Sequence, residues 1–130
     1  MILYIQTVTQ SCEIILLDEN GSFLKKKKWE NIRHHSELVL RGIDEVLRGE
    51  KPEKILVMKG MGSYTGTRIG VSVANGLAFA WNIPIGGIST KEYVGDETSF
   101  DSTVYLEEFF KKPQWEKMIE PVYNREPRIG

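Results

Sequence analysis

The chain has 130 residues, of which 41% are hydrophobic and 27% are charged, a balance that indicates one globular domain with a hydrophobic core. Its 17 basic and 18 acidic residues give a net charge of −1, so the whole surface has no general attraction for nucleic acid or membranes. The single cysteine, Cys12, rules out an internal disulfide and favours a reducing, cytoplasmic location. The N-terminus turns polar too soon for a signal peptide, and no apolar run reaches the ~18 residues of a membrane span.

The first part of the chain predicts an antiparallel meander of three strands. Residues 2–8 and 13–18 are apolar runs of strand length. Asn-Gly at residues 20–21 is a strong hairpin signal, so residues 22–29 form a third strand antiparallel to the second. This strand contains four consecutive lysines at residues 25–28, which either protect a sheet edge or contact an RNA backbone.

The middle of the chain predicts alternating helices and strands. Apolar residues recur with helical period over residues 33–48, and again over residues 65–81. Between and after these helices, residues 55–58 and 84–88 form the fourth and fifth strands. The order β-β-β-α-β-α-β indicates an α/β fold with a mixed sheet, in which an antiparallel meander leads into a parallel, helix-linked half.

The pattern weakens after residue 90. Residues 103–110 predict an added strand, and residues 113–119 predict one or two turns of helix beginning with a proline. Trp115, Met118 and Ile119 would then pack back on the domain.

The glycine-rich stretch at residues 60–70 follows a strand and leads into a helix, the context of many phosphate loops. Its spacing does not match the two common versions. Gly60, Gly62 and Gly66 give G-x-G-x-x-x-G instead of the dinucleotide fingerprint G-x-G-x-x-G. A P-loop has a lysine directly after its last glycine, where this chain has Thr67.

The helix after the glycine loop is apolar on nearly all sides, which is typical of a helix buried on most sides. Small residues recur every four positions and form one ridge: Gly66, Gly70, Ala74 and Ala78. Larger residues form a second ridge beside it: Ile69, Val73, Leu77 and Trp81. One face can cover the sheet of its own domain, and the small ridge then needs a second covering. Either a helix of the same chain or a partner protein supplies it.

The residue types of a metal or hydrolase site are present but not suitably arranged. His34 and His35 are neighbours, whereas histidine pairs that bind metal on a helix favour i, i+4 spacing. Ser63, His35 and Asp96 could be named as a triad, but no G-x-S-x-G elbow frames the serine. The sequence therefore predicts neither a metal site nor a catalytic residue.

Four segments together resemble the TsaB (YeaZ) family. The first strand, residues 2–9, is similar to the family's opening I-D-T-A-T strand, and residues 35–40 (H-S-E-L-V-L) are similar to its H-T/S-x-x-L-L segment. Residues 60–70 (G-M-G-S-Y-T-G-T-R-I-G) resemble its G-P-G-S-F-T-G-x-R-I-G, and residues 119–125 resemble its closing E-P-x-Y-x-R. The long glycine motif in its strand-to-helix context makes this resemblance strong.

The resemblance implies an actin-like, ribonuclease-H-like lobe and a non-catalytic role in the threonylcarbamoyladenosine modification of tRNA, at an adenosine beside the anticodon. The family member pairs with a homologous catalytic subunit, TsaD, through its two helices, and an ATPase, TsaE, joins them. Transfer RNA is reached only through the complex, and a homodimer is an open alternative for the chain alone. The residues that would bind the partner are His35, Leu38, Val39, Gly42, Gly66, Arg68, Ile69, Gly70, Val73, Ala74 and Leu77.

Gln6 departs from the family pattern in a way that bears on nucleotide chemistry. It replaces the aspartate of the first strand, and an amide carries no charge to help hold metal and phosphate. We therefore expect no cofactor, and Gln6, Gly60 and Gly62 remain only weak candidates for nucleotide contact. The competing hypothesis is an actin-like nucleotide-binding protein or ATPase that acts on its own.

The resemblance also implies a second lobe between the fifth strand and the closing motif, where only about 28 residues lie in this chain. We therefore expect a reduced form with the second lobe largely absent. It consists of an actin-like lobe over residues 1–90 and a short extension over residues 91–130 that packs on the same lobe.

Overall fold

The computed structural model of the chain describes residues 1–9, 11–29, 36–60, 64–89 and 101–120. These residues form one five-stranded mixed sheet and three helices. In chain order the elements are β1 (Ile2–Gln6), β2 (Cys12–Leu17), β3 (Phe23–Trp29), α1 (Ser36–Leu47), β4 (Lys54–Gly60), α2 (Tyr64–Trp81), β5 (Ile85–Ser89) and α3 (Ser102–Lys111).

The strands lie in the order β3-β2-β1-β4-β5. β2 pairs antiparallel with β1 and with β3, while β4 pairs parallel with β1 and with β5. The turn between β2 and β3 has Gly21 at φ 89°, a left-handed conformation that glycine adopts without strain. The meander and the parallel half predicted from the sequence are both confirmed.

Both faces of the sheet are covered, and alternation along each strand divides the core in two. Leu3 and Ile5 of β1 point to the face covered by α1 and α2, where Val39, Val71 and Ala74 join the same cluster. The other face packs against α3 through a second set of buried side chains: Ile2, Tyr4, Ile15, Leu56 and Leu106. This is why β1 and β4 are almost continuously apolar, since strands buried on both faces leave few positions for polar residues.

The prediction of a strand over residues 103–110 is wrong, because this segment forms the helix α3. Asp101 caps the helix, and its carboxylate accepts a hydrogen bond from the Thr103 amide at 2.9 Å. Leu106 and Phe109 then turn to the second core at helical spacing. Val104 and Tyr105 favour a strand by local propensity, but the bare second face of the sheet is covered instead by an amphipathic helix.

The prediction of helical turns over residues 113–119 is also wrong. Glu116 forms an isolated antiparallel bridge with Ile85 at the edge of the sheet. Its amide donates to the Ile85 carbonyl at 2.7 Å, and the Ile85 amide donates to its carbonyl at 2.9 Å. The unpaired edge of β5 thus offers this segment hydrogen bonds that a short helix would have to make internally.

Two of the three side chains expected to pack back on the domain do so. Trp115 meets the ring of Phe109 edge-on at a centroid distance of 5.4 Å, and Ile119 is buried. Asn75 of α2 fixes the Ile119 backbone with two hydrogen bonds of 2.7 and 2.9 Å. Met118 is 63% exposed, so the prediction is wrong for this residue.

Candidate partner-binding surface

The small-residue ridge predicted on α2 faces the interior of the lobe. The Thr7 hydroxyl, just after β1, donates a hydrogen bond to the Gly66 carbonyl. Gly70 lies against the same threonine, and a methyl group added there would collide with the Thr7 hydroxyl oxygen. Ala74 and Ala78 are buried in the core between α2 and the sheet. The second covering that the small ridge needs is therefore the end of β1, within the same chain. We call this ridge (Gly66, Gly70, Ala74 and Ala78) the inner line of α2.

The larger ridge lies on the flank of the helix. Ile69, Val73 and Leu77 are half-buried and pack against the core beneath the helices, while part of each side chain stays exposed. These three residues contribute both to the fold and to the surface of the helix.

A second line of small residues runs along the outward side of α2, and we call it the outer line. Ser72, Gly76 and Ala80 are spaced by four residues and all are exposed. A Cβ built on Gly76 meets no atom within 4 Å. Beside this line, the side chain of Phe79 is 88% exposed. The exposed Arg68 lies near the N-terminal end of the same side.

The predicted residues of α1 also divide into buried and exposed ones. Val39 is fully buried, and Gly42 lies directly against the ring of Trp29 with no room for a side chain. Leu38 is 37% exposed and its neighbour Leu40 is 45% exposed. The prediction for His35 falls outside the described residues.

The residues predicted to bind a partner differ in burial: some are packed inside the lobe and others are exposed at its surface. Five of them are buried in the lobe: Val39, Gly42, Gly66, Gly70 and Ala74. Five others present surface: Leu38, Arg68, Ile69, Val73 and Leu77. Leu40, Gly76 and Phe79 are also exposed on these helices and are absent from the predicted set. For Gly76 the available signal was its four-residue spacing with Ser72 and Ala80, which is as regular as that of the inner line.

Gln6 closes the loop that follows β1. Its side-chain carbonyl accepts hydrogen bonds from the amides of Val8, at 2.6 Å, and Thr9, at 3.1 Å. Its amide nitrogen donates to Glu13 at 3.0 Å, and the whole side chain is buried. Loop amides that could otherwise bind a phosphate are thus occupied within the chain. Of the other nucleotide candidates, Gly60 ends β4 and is buried, and Gly62 lies outside the described residues.

The buried carboxylate of Glu13 is the centre of a polar network. Besides Gln6, it accepts a hydrogen bond from the Ser102 hydroxyl at 2.8 Å and pairs with the Lys26 ammonium at 3.2 Å. The Tyr4 hydroxyl lies 2.9 Å from the Ser102 hydroxyl, and burial raises the pKa of Tyr4 well above its usual value. The network joins three strands to the first turn of α3, which is a structural role for a buried charge whose hydrogen bonds are satisfied.

Neither a metal site nor a reactive thiol is found in the part of the chain that the structure describes. Within it, no three histidine, cysteine or acidic side chains group closely enough to hold a metal ion. Burial, and secondarily the charge of Glu13, raises the pKa of the Cys12 thiol to about 12. None of the helices in the described ranges is long and apolar enough to cross a membrane.

Comparison with known proteins connects this geometry to a family. The family model described as TsaD, tRNA N6-adenosine threonylcarbamoyltransferase, matches residues 29–105. Two proteins named tRNA threonylcarbamoyladenosine biosynthesis protein TsaB are similar to the chain. The one from Escherichia coli is 32% identical over 97 residues, and the one from Haemophilus influenzae is 30% identical over 93 residues. Each alignment covers 68% of this chain.

The structural comparison agrees with these matches. The solved structure of YeaZ from Pseudomonas aeruginosa superposes with a TM-score of 0.60 and 30% identity, over 68% of this chain and 43% of that one. The chain spans about 40% of the length of these two TsaB relatives. The α/β sheet with its covering helices fits an actin-like lobe, as the sequence predicted. The chain therefore belongs to the family of the TsaD model, tRNA N6-adenosine threonylcarbamoyltransferase, and over about two thirds of its length it is similar to TsaB (YeaZ) proteins.

Proposed function

We propose that this chain takes part in the biosynthesis of threonylcarbamoyladenosine in tRNA as a non-catalytic subunit that binds a TsaD-like catalytic subunit. The proposal begins from the names of its relatives, which are biosynthesis proteins of this modification. The outward side of α2 and the exposed residues of α1 form the contact, and a TsaE-like ATPase joins the assembly.

The observation that carries the proposal is Gly76. Its φ is not in the left-handed region and its side-chain position faces open space, so the fold of this chain has no use for a glycine there. In a helix interior, glycine in place of alanine costs roughly 0.5–1 kcal/mol. A glycine on an open helix surface is useful when another backbone must approach closely, and the small neighbours Ser72 and Ala80 extend that surface by a turn on each side.

Phe79 supports the same surface. A phenylalanine side chain that is 88% exposed gains little from this chain's own core. Aromatic side chains next to flat, small-residue surfaces are typical anchors of protein interfaces. The half-buried Ile69 and Val73 add apolar area on the flank of the same helix.

A non-catalytic role is supported by the loop after β1. The Gln6 side chain uses the amides of Val8 and Thr9, and no carboxylate stands at its position to bind a magnesium ion. The competing function is an actin-like protein that binds nucleotide on its own. It predicts magnesium-dependent ATP or ADP binding by the isolated chain, which calorimetry would detect.

The experiment is complex formation with the TsaD-like subunit of the same genome, measured by calorimetry or co-purification. We expect Phe79→Ser to weaken the complex by about tenfold or more, since burial of a large aromatic side chain contributes on the order of 1.5–3 kcal/mol. Leu24→Ser is the matched control, because Leu24 is 59% exposed on β3, away from the helices' outward side. No binding by the wild-type chain, or equal weakening by both variants, would contradict the proposal.

A further inference from the structure

The lysine-rich strand β3 lies at one edge of the sheet, and its lysines are used unequally. Lys26 pairs with the buried Glu13 at 3.2 Å, and Lys27 pairs with Glu45 of α1 while its ammonium also lies over the Trp29 ring. Lys25 reaches the same region of α1, where its ammonium donates to the Glu45 main-chain carbonyl at 3.4 Å. A carbonyl oxygen carries no formal charge, so this contact does not neutralise Lys25.

A pocket of about 370 Å³ opens where β3 meets the C-terminal end of α1. It is lined by Lys25, Lys26, Lys27, Glu45, Val46 and Arg48. Glu13 compensates Lys26 and Glu45 compensates Lys27. Within the described part of the chain, no carboxylate forms an ion pair with the side chains of Lys25 or Arg48, the two positive charges that remain.

The two positive charges come from different elements, β3 and the end of α1, and they converge on one pocket. Protection of a sheet edge explains lysines on the strand, but it does not explain an arginine brought in from a helix end. Bringing unpaired like charges together costs free energy at low salt, and an anion bound between them removes this cost. A guanidinium is also well matched to the oxygens of a phosphate.

We propose that this pocket binds phosphate groups of an RNA backbone, with Lys25 and Arg48 as the contacting side chains. The identity of the RNA rests on the proposed function, which makes tRNA the relevant polyanion. The pocket lies at the β3 edge, apart from the outer line of α2, so the chain can engage the catalytic subunit and the RNA together. This role goes beyond the expectation that tRNA is reached only through the complex.

The experiment measures binding of a tRNA transcript to the full chain by fluorescence anisotropy between 50 and 200 mM KCl. For the double variant Lys25→Gln/Arg48→Gln we expect about tenfold weaker binding at the low-salt end. We also expect the slope of log K against log salt to fall by roughly 1.4–1.8, because each lost phosphate contact removes about 0.7–0.9 from the slope. The control Lys112→Gln/Lys117→Gln removes the same charge from exposed positions near and after α3 and should leave both quantities nearly unchanged.

Several results would overturn the pocket's assignment. The first is that the wild-type chain does not bind tRNA, and the second is that the double variant binds it as tightly as the wild type. The third is that the control variant loses as much affinity as the double variant. The fourth is that polyglutamate competes for the chain as strongly as unlabelled tRNA does. Polyglutamate competition would indicate an acidic protein instead. Binding of the TsaD-like subunit by the same variant is measured in parallel and should be unchanged. If the wild-type chain binds tRNA through this pocket but not the subunit, the proposed function fails while the pocket stands.

Discussion

The two lines of small residues on α2 have the same spacing but opposite surroundings. The inner line is buried: Gly70 lies against Thr7, and the Gly66 carbonyl accepts a hydrogen bond from the hydroxyl of that threonine. The outer line is open, and Gly76 has nothing within reach of a side chain. A small residue therefore has two distinct uses in one helix. The inner glycines let the helix lie close to its own sheet, and the outer glycine leaves open surface where we propose that a partner's backbone approaches.

The largest expected effect separates the two glycines by stability. Gly70→Val should destabilise the chain by about 3 kcal/mol, because an overpacked site costs 1–3 kcal/mol and displacement of Thr7 loses a hydrogen bond worth roughly 1 kcal/mol. Gly76→Val should change stability by less than about 0.5 kcal/mol, since the added side chain enters open space. Urea denaturation of both variants measures the difference. Equal losses of stability would mean that the inner and outer lines are assigned wrongly.

The buried thiol of Cys12, in the core between the sheet and helices α1 and α2, predicts a loss of stability at alkaline pH. Burial raises the pKa of Cys12 from 9.0 to about 12, so the folded state keeps a proton that the unfolded state releases. The stabilisation is complete below pH 9 and falls as the pH rises from 9 towards 12, by about 1.4 kcal/mol at pH 10 from this thiol alone. The free energy of unfolding, measured against pH for the wild type and Cys12→Ala, should fall less steeply in the variant. Parallel curves for the two proteins would count against a buried thiol.

A smaller effect tests whether Gly70 and Thr7 touch as described. Gly70→Ala should destabilise alone, because the new methyl group collides with the Thr7 hydroxyl oxygen. Thr7→Ala should destabilise by removing the donor to Gly66. Together they should cost about 1 kcal/mol less than the sum of the two, because removal of the hydroxyl makes room for the methyl group. An additive double-mutant cycle would show that a methyl group at residue 70 does not touch the Thr7 hydroxyl.

The sequence predicted the five strands and the two helices that cover one face of the sheet, because each carries a strong apolar pattern with clear turn residues beside it. It failed where tertiary packing overrides local preference. Val104 and Tyr105 favour a strand, yet they belong to the helix α3, which covers the second face of the sheet. Asp101, which caps this helix, is a helix-start signal that the sequence prediction did not use. Tertiary contacts also override the local preference at Glu116, which pairs with the free edge of β5 instead of forming part of a helix.

The candidate surface was only partly predictable for a geometric reason. Periodicity shows that residues share one side of a helix, but not which side faces the sheet. Gly66 and Gly70 were therefore assigned to a partner although they contact Thr7. Gly76 and Phe79 were overlooked because a helix so apolar gives little contrast between its faces. Contacts between residues distant in the sequence decide which side of α2 faces the sheet, and the periodicity of a single sequence does not reveal those contacts.

The most direct test of the outer line is the affinity of the TsaD-like subunit for Gly76→Leu, measured by calorimetry beside the wild type and Gly76→Ala. A leucine there leaves the fold intact, which circular dichroism can verify, and it fills the space that the partner's backbone would occupy. We predict that Gly76→Ala stays within about threefold of the wild-type Kd and that Gly76→Leu raises it by more than about tenfold, a loss above 1.4 kcal/mol. A folded Gly76→Leu variant that binds as tightly as the wild type would contradict the assignment of this surface.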